Sequence, residues 1–143
     1  MTSNVQKLRE ATSAGVMDCK KALEEAGGDF DRALKIIHEK GLTKVQKRAG
    51  RKTGAGLVHT YVHNERVGVI IEMRAETDFV ARSEPFRELI HDLAMHVAAM
   101  DPKDTHELLA QKDQTKNIKD LVNELIAKVG ENIEIGQFYR IEV

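Results

Sequence analysis

Apolar residues recur at helical spacing in three short stretches near the start of the chain. Val5 and Leu8 form the first, behind a Ser3–Gln6 pair spaced as a capping box, and Gly15 stands where that helix has stopped. Cys19, Ala22, Leu23 and Ala26 form the second, ended by Gly27-Gly28. Asp29 is placed to cap the third, carried by Phe30, Ala33, Leu34 and Ile37 and closed by Gly41. Three stripes this short must share one small core, so the pattern predicts a three-helix N-terminal module over residues 1–42.

A basic segment, 43–54, follows with Lys44, Lys47, Arg48, Arg51 and Lys52 and no interleaved aromatic, and it reads as a solvated linker. Beyond Gly54 and Gly56 the period changes to two. Leu57 to His63 and Val67 to Ala75 read as strands joined by a turn at Asn64-Glu65-Arg66. Val67, Val69, Ile71 and Met73 share one face, while Ile70 is the lone apolar side chain among Gly68, Ile70, Glu72 and Arg74, so one face is core and the other mostly wet. The clearest helix comes next: Phe86, Leu89, Ile90, Leu93, Ala94, Val97 and Met100, with Ser83 as cap and Pro85 in the first turn. Asp101-Pro102 ends it, and the polar connection to Asn117 holds a turn of helix around Leu108 and Leu109. A last helix carries Ile118, Leu121, Val122, Leu125, Ile126 and Val129 up to Gly130, and a final strand alternates Ile133, Ile135, Tyr139, Ile141 and Val143, with Gly136 marking a bulge. The order strand, strand, helix, helix, strand predicts an α+β core over 55–143, a three-stranded antiparallel sheet covered on one face by helices.

Between the second strand and the long helix lies the corner Thr77-Asp78-Phe79-Val80-Ala81-Arg82. Phe79 is one of only four Phe in a chain without Trp. A corner is a poor place to bury an aromatic, so Phe79 either folds back onto the core or stands ready for another protein.

Composition narrows the function. With 143 residues, 41% hydrophobic and 31% charged, the chain builds a core without staples. Its single cysteine, Cys19, excludes an internal disulfide, fits a reducing compartment and reads as a small core residue on a helix stripe. No apolar run approaches the length of a membrane span, and Met1 to Lys21 has neither a secretory hydrophobic region nor transit-peptide character, so the expected location is cytoplasmic. A net charge of −1 argues against direct nucleic-acid binding, which draws its affinity from phosphate neutralisation.

Nothing along the chain assembles a catalytic centre. There is no Gly-rich phosphate loop ending in Lys-Ser/Thr, no Gly-x-Ser-x-Gly elbow, and the histidines are scattered. His59 and His63 share a strand face but, at about 3.3 Å per residue, lie too far apart to grip one metal ion, and they read as surface or partner-contact residues. Asp92 and His96, four apart on a helix, read as an exposed ion pair. The expectation is therefore a binding protein that is not an enzyme and uses no cofactor or metal.

The run Glu76-Thr77-Asp78-Phe79-Val80-Ala81-Arg82 resembles the signature of the bacterial elongation factor Ts family. Leu8-Arg9-Glu10-Ala11-Thr12-Ser13-Ala14-Gly15-Val16-Met17-Asp18-Cys19-Lys20-Lys21-Ala22-Leu23 resembles that family's N-terminal motif, and Gly130-Glu131-Asn132-Ile133 a third. The resemblance implies a ubiquitin-associated-like head and a guanine nucleotide exchange factor that removes GDP from elongation factor Tu. It implies that Phe79 wedges near the magnesium site of that GTPase, that Asp78 bears on the same region, and that the factor touches neither nucleotide nor metal. It assigns partner contacts to Thr77, Asp78, Phe79 and Val80, to Arg9, Val16 and Met17 on the turn between the first two helices, and to His63 near the hairpin. Many relatives carry two copies of the core module where this chain has room for one, combining the corner with Ala94-Met95-His96-Val97-Ala98-Ala99; that implies a homodimer, for which the last strand offers an edge. The other binding role is an adaptor whose helical head holds ubiquitin-like or other small domains. Such an adaptor has no need of the corner, whereas an exchange factor needs something to push into its partner.

Overall fold

The three N-terminal stripes fold as α1 (Thr2–Thr12), α2 (Val16–Glu25) and α3 (Phe30–Arg48). The structure, a computed structural model, describes residues 2–143. Leu8, Cys19, Ala22, Leu23, Ala26 and Ala33 are buried together, with Val5, Ala14, Phe30, Ile36 and Ile37 packed around them. Ser3 lies inside α1 and does not cap it. Gly41 does not close α3, which runs on to Arg48: one glycine costs a helix interior about 1 kcal/mol, and no proline follows to break it. Lys40 and Lys44 on α3 meet Glu25 at 2.9 Å and Asp18 at 3.4 Å, so part of the basic segment is spent inside this bundle. By contacts the chain divides into two compact units, Met1–Lys47 and Arg48–Val143.

The second unit begins with β1 (Ala55–His63) and β2 (Val67–Ala75). Asn64 and Glu65 take positive φ, and the Arg66 amide donates to the His63 carbonyl at 3.0 Å, which closes a tight hairpin. After β2 come a single turn, α4 (Asp78–Ala81), and the long α5 (Glu84–Met100), with Pro85 in its first turn and Ser83 at the N-cap position, where its side chain makes no capping bond to the helix. The connection holds α6 (Thr105–Ala110) and a small ribbon, β3 (Lys112–Asp113) with β4 (Lys116–Asn117), which the sequence pattern did not suggest. Then follow α7 (Ile118–Val129), stopped by Gly130 in the left-handed conformation, and β5 (Ile133–Glu142). The main sheet is antiparallel in the order β1-β2-β5, an α+β architecture as expected.

Register decides which side chains face α5. On β2, Val69, Ile71, Met73 and Ala75 are buried. Ile71 pairs with Phe138 and Met73 with Ile135, so Gly136 and Gln137 together oppose Glu72, and this bulge reverses the phase of β5. Ile133 and Ile135 point inward before it and Phe138 and Arg140 after it. Tyr139 and Ile141 are thereby turned to the outer face beside Ile70 and Gly68. Arg140 holds the inner edge, donating from Nε to the Ala98 carbonyl at 3.1 Å and pairing with Glu142 at 2.9 Å.

The long helix corrects two readings. Met100, in its last turn, is exposed, and Ala98 is buried instead. His96 is no surface partner of Asp92: it is buried, with Nε2 2.8 Å from Gln111 Oε1. Because α5 packs against the sheet on one side and α7 on another, its buried arc is wider than a one-sided stripe.

Gly56 is the tightest backbone approach in the sheet that no side chain could relieve. A Cβ there would stand 2.5 Å from the Met73 carbonyl oxygen. Gly56→Ala is expected to cost about 1–3 kcal/mol, read as a lower urea midpoint with an unchanged slope.

Candidate functional site

The corner is built from a short sequence in which each residue has a different task. Thr77 is extended and caps α4, its Oγ1 accepting from the Val80 amide at 3.4 Å. Val80 and Ala81 are buried and anchor the turn. The Arg82 amide donates to the Asp78 carbonyl at 3.0 Å, and the Ser83 hydroxyl donates to the Val80 carbonyl at 2.6 Å, which hands the turn on to α5. With the inward positions taken by Val80 and Ala81, Asp78 and Phe79 face out. Phe79 is 87% exposed, the most exposed large apolar side chain among the described residues, and a hollow beside it is lined by Asp78, Arg82 and Ser83. The reading of Phe79 as a core residue is therefore excluded.

A second layer holds this corner from behind. Ala75 pairs with Ile133, which sets Glu76-Thr77 beside Glu131-Asn132. Glu131 takes two hydrogen bonds from Thr77, from its amide at 3.0 Å and its hydroxyl at 2.7 Å. Glu76 accepts from the Asn132 amide at 3.2 Å and lies 3.8 Å from Arg51. Asn132, itself buried, donates from Nδ2 to the Arg51 carbonyl at 3.1 Å. Each carboxylate thus grips the backbone of the other strand. Reading residues singly missed Glu131, Glu76 and Asn132 as supports; their signal was membership of two of the motifs that carry the family resemblance, which marks them without assigning them a task.

The remaining predicted residues occupy two other places. Arg9 lies in the last turn of α1, and Val16 and Met17 are the first residues of α2, not of the preceding turn. All three are exposed, and in the chain they flank the Ser13-Ala14-Gly15 connection. His63 ends β1, its Nδ1 2.9 Å from the Tyr61 hydroxyl. On the same face His59 Nε2 lies 2.9 Å from His91 Nδ1 on α5, within hydrogen-bond distance. Burial, and then the charge of His91, hold His59 below the usual histidine value. Among the described residues no three His, Cys, Asp or Glu side chains converge as a metal site, and no helix is long and apolar enough to cross a membrane.

What the geometry offers is a solvent-facing aromatic with an acid beside it, and on the helical unit the exposed side chains of Arg9, Val16 and Met17. Exposed aromatic side chains are enriched in the centres of protein–protein interfaces. A family model described as Elongation factor TS matches residues 76–143, from Glu76 just before the corner to Val143 just after β5. Elongation factor Ts of Thermotoga petrophila is 42% identical over 186 positions, covering 97% of this chain and 94% of that protein. The factor of Moorella thermoacetica is 40% identical, covering 99% and 94%, and that of Thermodesulfovibrio yellowstonii 38%, covering 97% and 94%. The first alignment is longer than the 143 residues present here, so that relative carries residues without a counterpart in this chain. On identity sustained across both of its compact units, the chain belongs to the elongation factor Ts family.

Proposed function

We propose that this protein is a guanine nucleotide exchange factor that binds elongation factor Tu, in its GDP-bound and nucleotide-free forms, and promotes release of GDP. The observation that carries the reading is Phe79, held at 87% exposure on a turn whose other apolar residues are buried. Leaving a Phe in water forgoes about 1.5–3 kcal/mol of burial, which a partner can recover. The family resemblance directs Phe79 and Asp78 toward the magnesium and phosphate site of the GTPase, where displacement of the metal and phosphate loop loosens GDP. Thr77 and Val80 shape that contact. Arg9, Val16 and Met17 make a second contact with the GTPase domain. The action takes place in the cytoplasm and needs no cofactor.

Exchange is one coupling energy seen from two directions: nucleotide weakens factor binding by the ratio in which factor weakens nucleotide binding. A ten-thousandfold effect requires about 5.5 kcal/mol, more than one Phe supplies, so the head residues and Asp78 share it.

The working form we propose is a homodimer. Val58, Val62, Ile70, Tyr139 and Ile141 are exposed together on the sheet face opposite α5, and β5 is an edge strand. A two-fold pair would let one chain's head and corner engage the GTPase domain while the other's hairpin, at Tyr61 and His63, reaches a second domain.

Added to elongation factor Tu loaded with labelled GDP, the protein is expected to accelerate release while hydrolysing nothing; unchanged release at saturation contradicts the exchange reading and is what an adaptor would give. Phe79→Ala should slow exchange by about one to two orders of magnitude, from about 2 kcal/mol of lost burial at about tenfold per 1.36 kcal/mol. Its stability should stay within about 0.5 kcal/mol of the parent, because the side chain is solvated. Sedimentation equilibrium at micromolar concentration should give the dimer mass; a monomer mass together with a fully active one-to-one complex would rule the dimer out.

A further inference from the structure

We propose that Glu131 is the positioning residue for Phe79: its carboxylate clamps Thr77 and so fixes the turn on which the wedge stands. This inference rests on the exchange reading above. Three observations combine in it. Thr77 is the cap of a helix of one turn, α4, which has too few backbone bonds to hold itself. The Thr77 hydroxyl is used twice, donating to Glu131 at 2.7 Å and accepting from the Val80 amide at 3.4 Å, so the cap's orientation depends on the carboxylate. The second carboxylate oxygen takes the Thr77 amide at 3.0 Å, which fixes the backbone two residues ahead of Phe79. Ionised carboxylates are strong acceptors, and two oxygens holding one residue give direction as well as strength. Glu131 itself is steady because it leaves α7 through Gly130 and enters β5 through Asn132, whose amide is held by Glu76.

The function of such a clamp is preorganisation. An aromatic that swings among several orientations presents the competent one for only part of the time, and apparent affinity falls by that fraction. Losing the clamp therefore weakens engagement of the partner and leaves untouched the rate at which an engaged complex releases GDP. A residue that merely supported the fold would depress both together.

The test uses full-length Glu131→Ala and the isosteric Glu131→Gln, which keeps one acceptor oxygen and loses the charge. Labelled-GDP release from elongation factor Tu is followed against factor concentration, and amide hydrogen exchange is read at Thr77 and at Ile71 in the sheet. The half-saturating concentration is expected to rise about tenfold in Glu131→Ala, equivalent to about 1.4 kcal/mol, and by less in Glu131→Gln, with the saturated rate within about twofold of the parent. The Thr77 amide should exchange faster while Ile71 is unchanged. An unaltered half-saturation in both variants, a lowered saturated rate, or Ile71 losing protection along with Thr77 in both would overturn the proposal. Should Glu131→Ala fail to fold, Glu131→Gln decides alone, and equality with the parent would count against the clamp. A parent that does not accelerate release would overturn the exchange reading itself, visible before any variant is compared.

Discussion

The pairing of Ala75 with Ile133 at the end of the β2–β5 ladder is the constraint from which the rest of the site follows. It brings the exit of one strand beside the entrance of another, so that Glu76-Thr77 and Glu131-Asn132 exchange hydrogen bonds across the seam. That seam adds a second hold on α4 to the one given by its buried Val80 and Ala81. With it, an exposed aromatic is held in place by a sheet whose inner face, Val69, Ile71, Met73 and Ala75, is buried under α5. Burial supplies the stability and the crossed carboxylates supply the direction.

The β5 bulge has an equal effect on the opposite side of the sheet. Had β5 kept its phase, Tyr139 and Ile141 would have joined Ile135 under α5, and Phe138 and Arg140 would have stood on the outer face with Val58, Val62 and Ile70. The extra residue at Gly136-Gln137 sends Phe138 and Arg140 inward instead and leaves an apolar strip outside. The inner face thus gains the Arg140 tie to Ala98 at the end of α5, and the outer face gains a surface suited to another protein surface.

How much of this was legible in the chain depended on the range of the interactions involved. The hairpin, α5 and α7 were plain because a period of two or of 3.6 is written in adjacent residues. Gly136 announced its bulge for the same reason. The extent of α3 was not plain, because Gly41 is a stop signal only when the residues beyond it have nothing to hold them, and Lys44 finds Asp18. His96 misled because a helical face was judged from one side, whereas α7 and Gln111 cover the other. For Phe79 the corner left both orientations open, and the choice was made by Val80 and Ala81 filling the inward positions. The Glu131 support was the least legible: its partner Thr77 lies 54 residues away, and no local pattern encodes a contact at that distance.

A nucleotide exchange factor acts through binding energy, so the proposed function turns on a difference of affinities. Isothermal titration calorimetry of this protein with nucleotide-free and with GDP-loaded elongation factor Tu measures that difference directly. The factor should bind the empty GTPase more tightly by several orders of magnitude, and by the same ratio in which it weakens GDP binding, as linkage demands. Equal affinity for the two forms would contradict the claim, since a ligand that binds both states alike shifts neither.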